Sequence, residues 1–247
     1  MDERYRSVRA GVETLAPRLQ LPRHRHRAGY ATVILSGAMV EASFAGRFHV
    51  RPGDVLLHGR FDCHGNWPMG RAAPTILRLP WFDDRLEGHF HVDDPDRLAQ
   101  AAERDPHEAA CLLEQQLRPV AGGDRDWPEQ LADDLSASPS LSIRGWAARQ
   151  GLAPSTVSRG FRAAFGVSPQ RYRLESRARQ AWRSVLDCET PLTPLAYDHG
   201  FADLAHLSRS IRDLTGLSPA QWRRGGPQLR SSWTIVAPVE SRDMTAP

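Results

Sequence analysis

The chain has no lysine: all 32 of its basic residues are arginine. A GC-rich genome gives that bias by itself, but arginine's planar fork also suits phosphate oxygens and guanine edges. Cysteine is scarce as well. Cys63, Cys111 and Cys188 are odd in number and widely spaced, which argues against a disulfide framework. No stretch approaches the run of about 20 apolar residues that a membrane-spanning helix needs. Met1-Asp2-Glu3-Arg4 opens without the apolar core of a signal peptide. Together these absences set the expectation of a cytoplasmic protein with no membrane partner. The rest is ordinary for a globular chain: 247 residues, 40% hydrophobic, 25% charged and a net charge of +3. Such a length suits one or two domains with proper cores. With so small a net charge, what matters is where the arginines sit.

They sit in a repeat. Ser158-Arg159-x-Phe161-Arg162-x-x-x-Gly166-Val167-Ser168-Pro169-x-x-Tyr172-Arg173 recurs as Ser208-Arg209-x-Ile211-Arg212-x-x-x-Gly216-Leu217-Ser218-Pro219-x-x-Trp222-Arg223, an offset of 50 residues. A fixed period means one supersecondary unit used twice. Each copy reads as a turn, an amphipathic helix with outward arginines, a glycine stop and a Ser-Pro helix start. Two equivalent basic helices suit a long, regular, anionic partner, and duplex DNA is the obvious one.

The texture changes along the chain. Up to about Trp81, short apolar runs such as Ala31–Leu35 and Asp54–Leu57 alternate with Gly37, Gly46 and Pro52-Gly53, the pattern of a sandwich or barrel. From Pro95 the signals are helical. Asp94-Pro95 and Pro106 each open a helix, and Ala110, Leu113 and Leu117 make a stripe suited to the strand-rich half or to a second subunit. Pro119 to Asp124 reads as a linker. The expected divisions are a strand-rich domain over 1–92, a helical segment and linker over 93–125, a helical domain over 126–224 and a tail over 225–247. One strand-like scrap, Trp233 to Val236, falls in that tail.

Within the helical half, Gly151 suits the end of one helix and Pro154 the first turn of the next. Val157, Phe161 and Phe165 form the inward stripe of that second helix, leaving Ser155, Ser158, Arg159 and Arg162 on other faces. Ser168-Pro169 starts a long connecting helix to about Cys188. It carries Arg171, Arg173, Arg177, Arg179 and Arg183. In the second unit Asp203 reads as an N-cap, and Leu204, Leu207, Ile211 and Leu214 as the inward stripe, with His206, Arg209 and Arg212 pointing elsewhere. A connecting helix of about 20 residues is roughly 30 Å long. That is close to the roughly 34 Å between successive major grooves on one face of B-DNA.

Over Asp126 to Arg224 the chain resembles the tandem helix-turn-helix domain of AraC/XylS-type transcription regulators, most closely in Gly200-Phe201-x-Asp203 and the Ser208 to Arg223 segment. The resemblance implies an all-α, seven-helix domain with base-contacting sites at Ser155, Ser158 and Arg159 in the first unit and Ala205, His206 and Arg209 in the second. Arg162 and Arg212 match positions that approach phosphates, and Thr156 and Ser208 complete the DNA-facing set. The chain departs from the family pattern in places. Ala153 stands where the family often has a capping Ser, and Ile211 replaces the usual Phe. Gly145 and Gly160 sit inside helices, each at a cost of about 1 kcal/mol relative to Ala.

Pro22-Arg23-His24-Arg25-His26, Gly37, Gly46, Pro52-Gly53-Asp54, His58 and His64 resemble a cupin-type β-barrel, which regulators of this family often carry as a sensor. The fold expected is therefore two-domain α+β. His24 and His26 share a strand face, and His64 is the best third partner by position. Three imidazoles suit a divalent metal such as zinc, iron, nickel or copper. The Glu that metal-binding cupins place after the paired histidines is missing, and Gly29 and Tyr30 occupy that region. A metal-free small-molecule pocket, and plain strand histidines among Arg23, Arg25 and Arg27, stand beside the metal reading.

The leading expectation is a sequence-specific, ligand-responsive transcription regulator and not an enzyme. Its expected partners are duplex DNA, a small effector, the transcription machinery and a second copy in a homodimer. The rival is a metal-dependent cupin enzyme with a helical appendage, which the missing Glu disfavours. A protein-binding scaffold is the third reading.

Overall fold

A computed structural model describes residues 8–17, 20–120 and 125–231. The strand-like scrap at Trp233 and the middle of the expected linker lie outside them. Among the described residues the first half contains ten strands: β1 (Gly11–Thr14), β2 (Leu21–Arg25), β3 (Tyr30–Ser36), β4 (Ala38–Ala42), β5 (Arg47–Val50), β6 (Asp54–His58), β7 (Cys63–Met69), β8 (Thr75–Pro80), β9 (Gly88–His91) and β10 (Arg118–Pro119). They form two antiparallel sheets, ordered β1-β8-β3-β6-β9-β10 and β2-β7-β4-β5. The sheets are separate hydrogen-bonded layers among the described residues, so the fold shown is a two-sheet strand domain and not a closed barrel. The segment read as a linker begins with β10, which pairs with β9.

Glycine makes the corners where the chain leaves one sheet for the other. Gly37, at φ +75°, joins β3 to β4, and a Cβ there would stand 2.8 Å from Pro74 Cα. Gly53, at φ +89°, leads from β5 into β6, and its Cβ would stand 2.6 Å from His91 Cε1. A side chain at either place meets both a strained backbone and an occupied space.

Strand alternation divides the larger sheet's two faces. Ala31, Val33, Val55, Leu57, Leu77 and Leu79 point outward and are buried under α1 (Pro95–Arg104) and α2 (Pro106–Gln116), against Leu98, Ala109 and Leu113. The stripe on α2 thus packs on the strand half of its own chain. Ile34, Met39, Val50, Leu56 and Ile76 fill one part of the space between the sheets. Polar side chains fill another part of it.

Seven helices follow among the described residues: α3 (Trp127–Ala137), α4 (Ile143–Arg149), α5 (Pro154–Phe165), α6 (Pro169–Asp187), α7 (Leu192–Asp198), α8 (Leu204–Thr215) and α9 (Pro219–Ser231). The repeat is visible in the caps. Gly166 and Gly216 end α5 and α8 in the left-handed region at φ +74° and +83°. The side chains of Ser142, Ser168 and Asp203 cap α4, α6 and α8, whereas Ala153 provides no cap for α5. Each unit has its own core. Trp146, Val157, Phe161, Phe165 and Tyr172 centre the first, and Trp182, Leu207, Ile211, Leu214 and Trp222 the second. The connecting helix α6 belongs to both.

Both helical cores are completed from the strand half. Ala42 joins the first, with Phe44 and Trp67 packed against it, and Phe61 and Cys63 join the second.

Candidate nucleic-acid interface and buried polar site

Two side-chain constellations carry chemistry: an exposed one on the paired helices and a buried one between the sheets. On α5, Val157, Phe161 and Phe165 are buried, so the 3.6-residue period turns Ser155, Thr156, Ser158, Arg159 and Arg162 to solvent. On α8, Leu207, Ile211 and Leu214 are buried, while Ala205, Arg209 and Arg212 are exposed. His206 and Ser208 are half-buried. The Asp203 carboxylate accepts the His206 backbone N–H at 2.6 Å, and the imidazole stands edge-on to Phe201 at 5.1 Å. The helix end is thereby fixed and the ring oriented. Arg159 and Arg209 thus hold equivalent places on two equivalent helices, each with an open polar face.

The five arginines of α6 behave differently, since every one has a partner in the chain. Arg171 binds Glu175 at 2.6 Å, Arg173 donates to Leu141 O at 2.7 Å and Arg177 to Gly200 O at 2.8 Å. Arg179 is buried. It donates Nε to Arg60 O at 3.0 Å, Nη1 to Glu87 at 2.9 Å and Nη2 to the other oxygen of the same carboxylate. Arg183 reaches the same Glu87 at 2.6 Å and Asp84 O at 2.8 Å. Burial alone would lower the Arg179 pKa, but Glu87 and the nearby Asp62 raise it, so the cation is locked on. With Arg23–Glu175 at 3.1 Å and Arg47–Glu129 at 2.6 Å, these pairs join the strand half to the helical half.

The buried constellation lies on the inward face of both sheets. His24 comes from β2 and His26 from just past its end, Tyr30 and Thr32 from β3, Glu41 from β4, His58 from β6, and His64 and Asn66 from β7. The three histidines singled out in the sequence are brought together: ring centroids lie 4.9 Å apart for His24–His26, 4.5 Å for His24–His64 and 5.2 Å for His26–His64. One nitrogen from each lies within 4.8 Å of the others, close enough to surround one ion. His24 Nδ1 is tied to Pro22 O at 2.8 Å and Tyr30 Oη to His64 Nε2 at 3.0 Å. A second group of the same kind consists of Glu41, His58 and His64.

Glu41 was not singled out from the sequence, nor was Asp62, and His58 was seen only as part of the barrel pattern. The signal for Glu41 was present. It shares the parity of Met39 in the otherwise apolar strand Ala38-Met39-Val40-Glu41-Ala42, so it had to face inward with Met39. Burial pushes its carboxyl up to about 7 against the pull of His58. Asn66 donates to its Oε2 at 2.6 Å. Burial also lowers His64 well below the usual range, which keeps it neutral. Burial would raise Asp62, yet His58, His64 and the charge of Arg179 hold it well below the usual carboxylate range. Cys63, next to His64, points away into the helical core, and burial pushes its thiol up to about 12. It is a packing residue of that core, kept protonated by burial.

A helix-turn-helix family model matches residues 146–225. The arabinose operon regulatory protein of Salmonella typhimurium is 30% identical over 218 residues, 72% of this chain and 77% of that protein. Its counterpart in Escherichia coli K12 is 30% identical over 217 residues, 72% of this chain and 74% of that one. Among solved structures, the DNA-binding domain of AdpA in complex with a target DNA is similar at 23% identity and TM-score 0.38, covering 41% of this chain and 93% of that one. Fatty-acid-bound ToxT of Vibrio cholerae is similar at 10% identity and TM-score 0.40, covering 90% and 97%. The relatives define the class: a DNA-binding transcription regulator and not an enzyme. The chain belongs to the AraC/XylS family of these regulators.

Proposed function

We propose that the protein is a cytoplasmic, sequence-specific regulator that reads duplex DNA with α5 and α8 and senses a small ligand with its cupin-like strand half. The observation that carries the DNA reading is the equivalence of Arg159 and Arg209, each exposed on a helix whose other face is core. Each guanidinium reaches base edges in its own major-groove segment, where a bidentate fork recognises guanine. Arg162 and Arg212, one turn further on, meet phosphates. Ser155, Thr156, Ser158, Ala205, His206 and Ser208 flank them. The α6 helix, 19 residues and about 28 Å long, spaces the two helices for consecutive turns of B-DNA.

The sensing reading is supported by how the buried polar cluster joins the helical half. Asp62 bonds the His58 imidazole at 3.1 Å, and its chain neighbour Phe61 is fully buried among Trp182 and Trp222. A ligand that repositions the histidines acts on the residue next to that plug. Either a divalent metal or a small anionic effector meets the chemistry of the clustered imidazoles, which form two candidate groups, His24–His26–His64 and Glu41–His58–His64, and a homodimer would place two such regulators on one operator.

Selection of bound duplexes from a random pool, followed by titration of the selected site against salt, tests this. The expected result is a defined two-part site bound with a steep negative salt slope. Binding without sequence preference overturns the reading.

A further inference from the structure

We propose that the ligand of the strand half is a single divalent transition-metal ion held by Glu41, His58 and His64, and not by the His24–His26 pair. The site rests on geometry alone; that the ion is the effector rests on the sensing reading above.

The key relationship is between His58 Nε2 and Glu41 Oε1. Both side chains are buried, the two atoms lie 3.6 Å apart, and His58 Nε2 has no hydrogen-bond partner. That gap is too long for a hydrogen bond. It matches two ligands of one tetrahedral ion: bonds of about 2.0–2.2 Å place their donor atoms roughly 3.3–3.5 Å apart. His64 supplies the third donor, all three atoms lying within 4.8 Å of one another. His64 Nδ1, 3.6 Å from Asp62 Oδ2, is also buried without a hydrogen-bond partner. Buried polar atoms seldom stay unsatisfied, so two such nitrogens in one cluster point to a missing partner.

The supporting contacts are those a metal site needs. His58 turns Nδ1 to Asp62 Oδ2 at 3.1 Å, which leaves Nε2 as the ligating nitrogen and orients the ring toward Glu41. Asn66 holds Glu41 Oε2 at 2.6 Å, so Oε1 faces His58. Each ligand is thus fixed by a second residue. Two imidazoles and one carboxylate suit zinc or a neighbouring borderline ion. The adjoining cavity, bordered by Glu41, His64, His24, His26 and Tyr30 but not by His58, has a volume of about 20 Å³. That space admits a water or an ion. It is far below the roughly 300 Å³ at which small-molecule pockets begin.

The full-length protein, stripped with chelator and dialysed, is titrated with Co²⁺ as a visible probe and with Zn²⁺ in competition. One ion per chain is expected, with Glu41→Gln and His58→Gln each weakening it at least 10-fold and His24→Ala/His26→Ala leaving it within 3-fold. A cooperative melt in chelator shows that each variant is folded. In the parent, ¹⁵N signals of the histidine rings give a readout that needs no variant: Zn²⁺ must shift His58. Loss of the ion in the His24/His26 variant with retention in Glu41→Gln overturns the proposal, as does an unshifted His58 or no binding at all. If the ion binds as described but operator affinity is the same with and without Zn²⁺, the site stands and the sensing reading fails.

Discussion

The Phe61 ring meets Trp182 edge-on, with centroids 4.9 Å apart and planes at 86°, so a residue of the strand half completes the aromatic core of the helical half. Trp222 closes the group at 5.9 Å from Phe61 and 5.6 Å from Trp182. Phe61 holds φ +57°, a conformation unfavourable for a side chain of that bulk, and its fully buried ring is what offsets the strain.

Truncating it tests that relationship. Phe61→Ala removes the plug and leaves a cavity, at an expected cost of about 3–5 kcal/mol. Thermal unfolding of the full chain checks this. A loss under 1 kcal/mol would show that the two halves do not depend on the ring.

Arg159→Ala and Arg209→Ala should each cost about 1–3 kcal/mol of binding and relax preference at a few base pairs. Arg162→Ala and Arg212→Ala should weaken binding evenly across sequences and flatten the salt slope. Competition binding with single-base variants of the selected site separates the two patterns. If Arg209→Ala binds the selected duplex as tightly as the parent, the assignment of that contact fails.

Gly160→Ala is a test in which helix propensity and packing give opposite signs. Propensity alone favours Ala by about 1 kcal/mol. The structure places the new Cβ 2.5 Å from Trp127 Cζ2, so overpacking by about 1–3 kcal/mol should win and the variant should melt lower. Shortening Trp127 to Leu in the same chain should recover part of the loss.

Glu87→Gln leaves the buried Arg179 cation without its anion. Breaking one partner of a buried pair costs about 3–5 kcal/mol, because the remaining charge stays desolvated. Denaturant unfolding should show that loss. Arg85→Ala, whose pair with Asp187 lies exposed, should cost under 1 kcal/mol.

The helical half was readable from sequence because its signals are local. Gly166 and Gly216 stop helices through their own φ angles, Ser168 and Asp203 cap through side chains three residues from their targets, and the inward stripes follow the helical period. The arginines of α6 were not readable in the same way. Arg179 and Arg183 look like any exposed cations on a helix, and Glu87, which both engage, lies more than 90 residues away in sequence. His24 and His26 could be placed on one face by alternation, although only His24 lies within β2. Their meeting with Glu41 depends on which strands oppose each other across two sheets, and nothing in either strand encodes that. Gly160 was read as a propensity cost, whereas its reason is a tryptophan 33 residues upstream.

The Gly160–Trp127 contact has a mechanical meaning. Trp127 is the first residue of α3, and its indole lies on the backbone of α5 where no side chain intervenes. The chain therefore enters the helical half already fastened to the first DNA-facing helix. A displacement of the chain at Asp126 would therefore bear first on α5, while α8 lies three helices further along the chain.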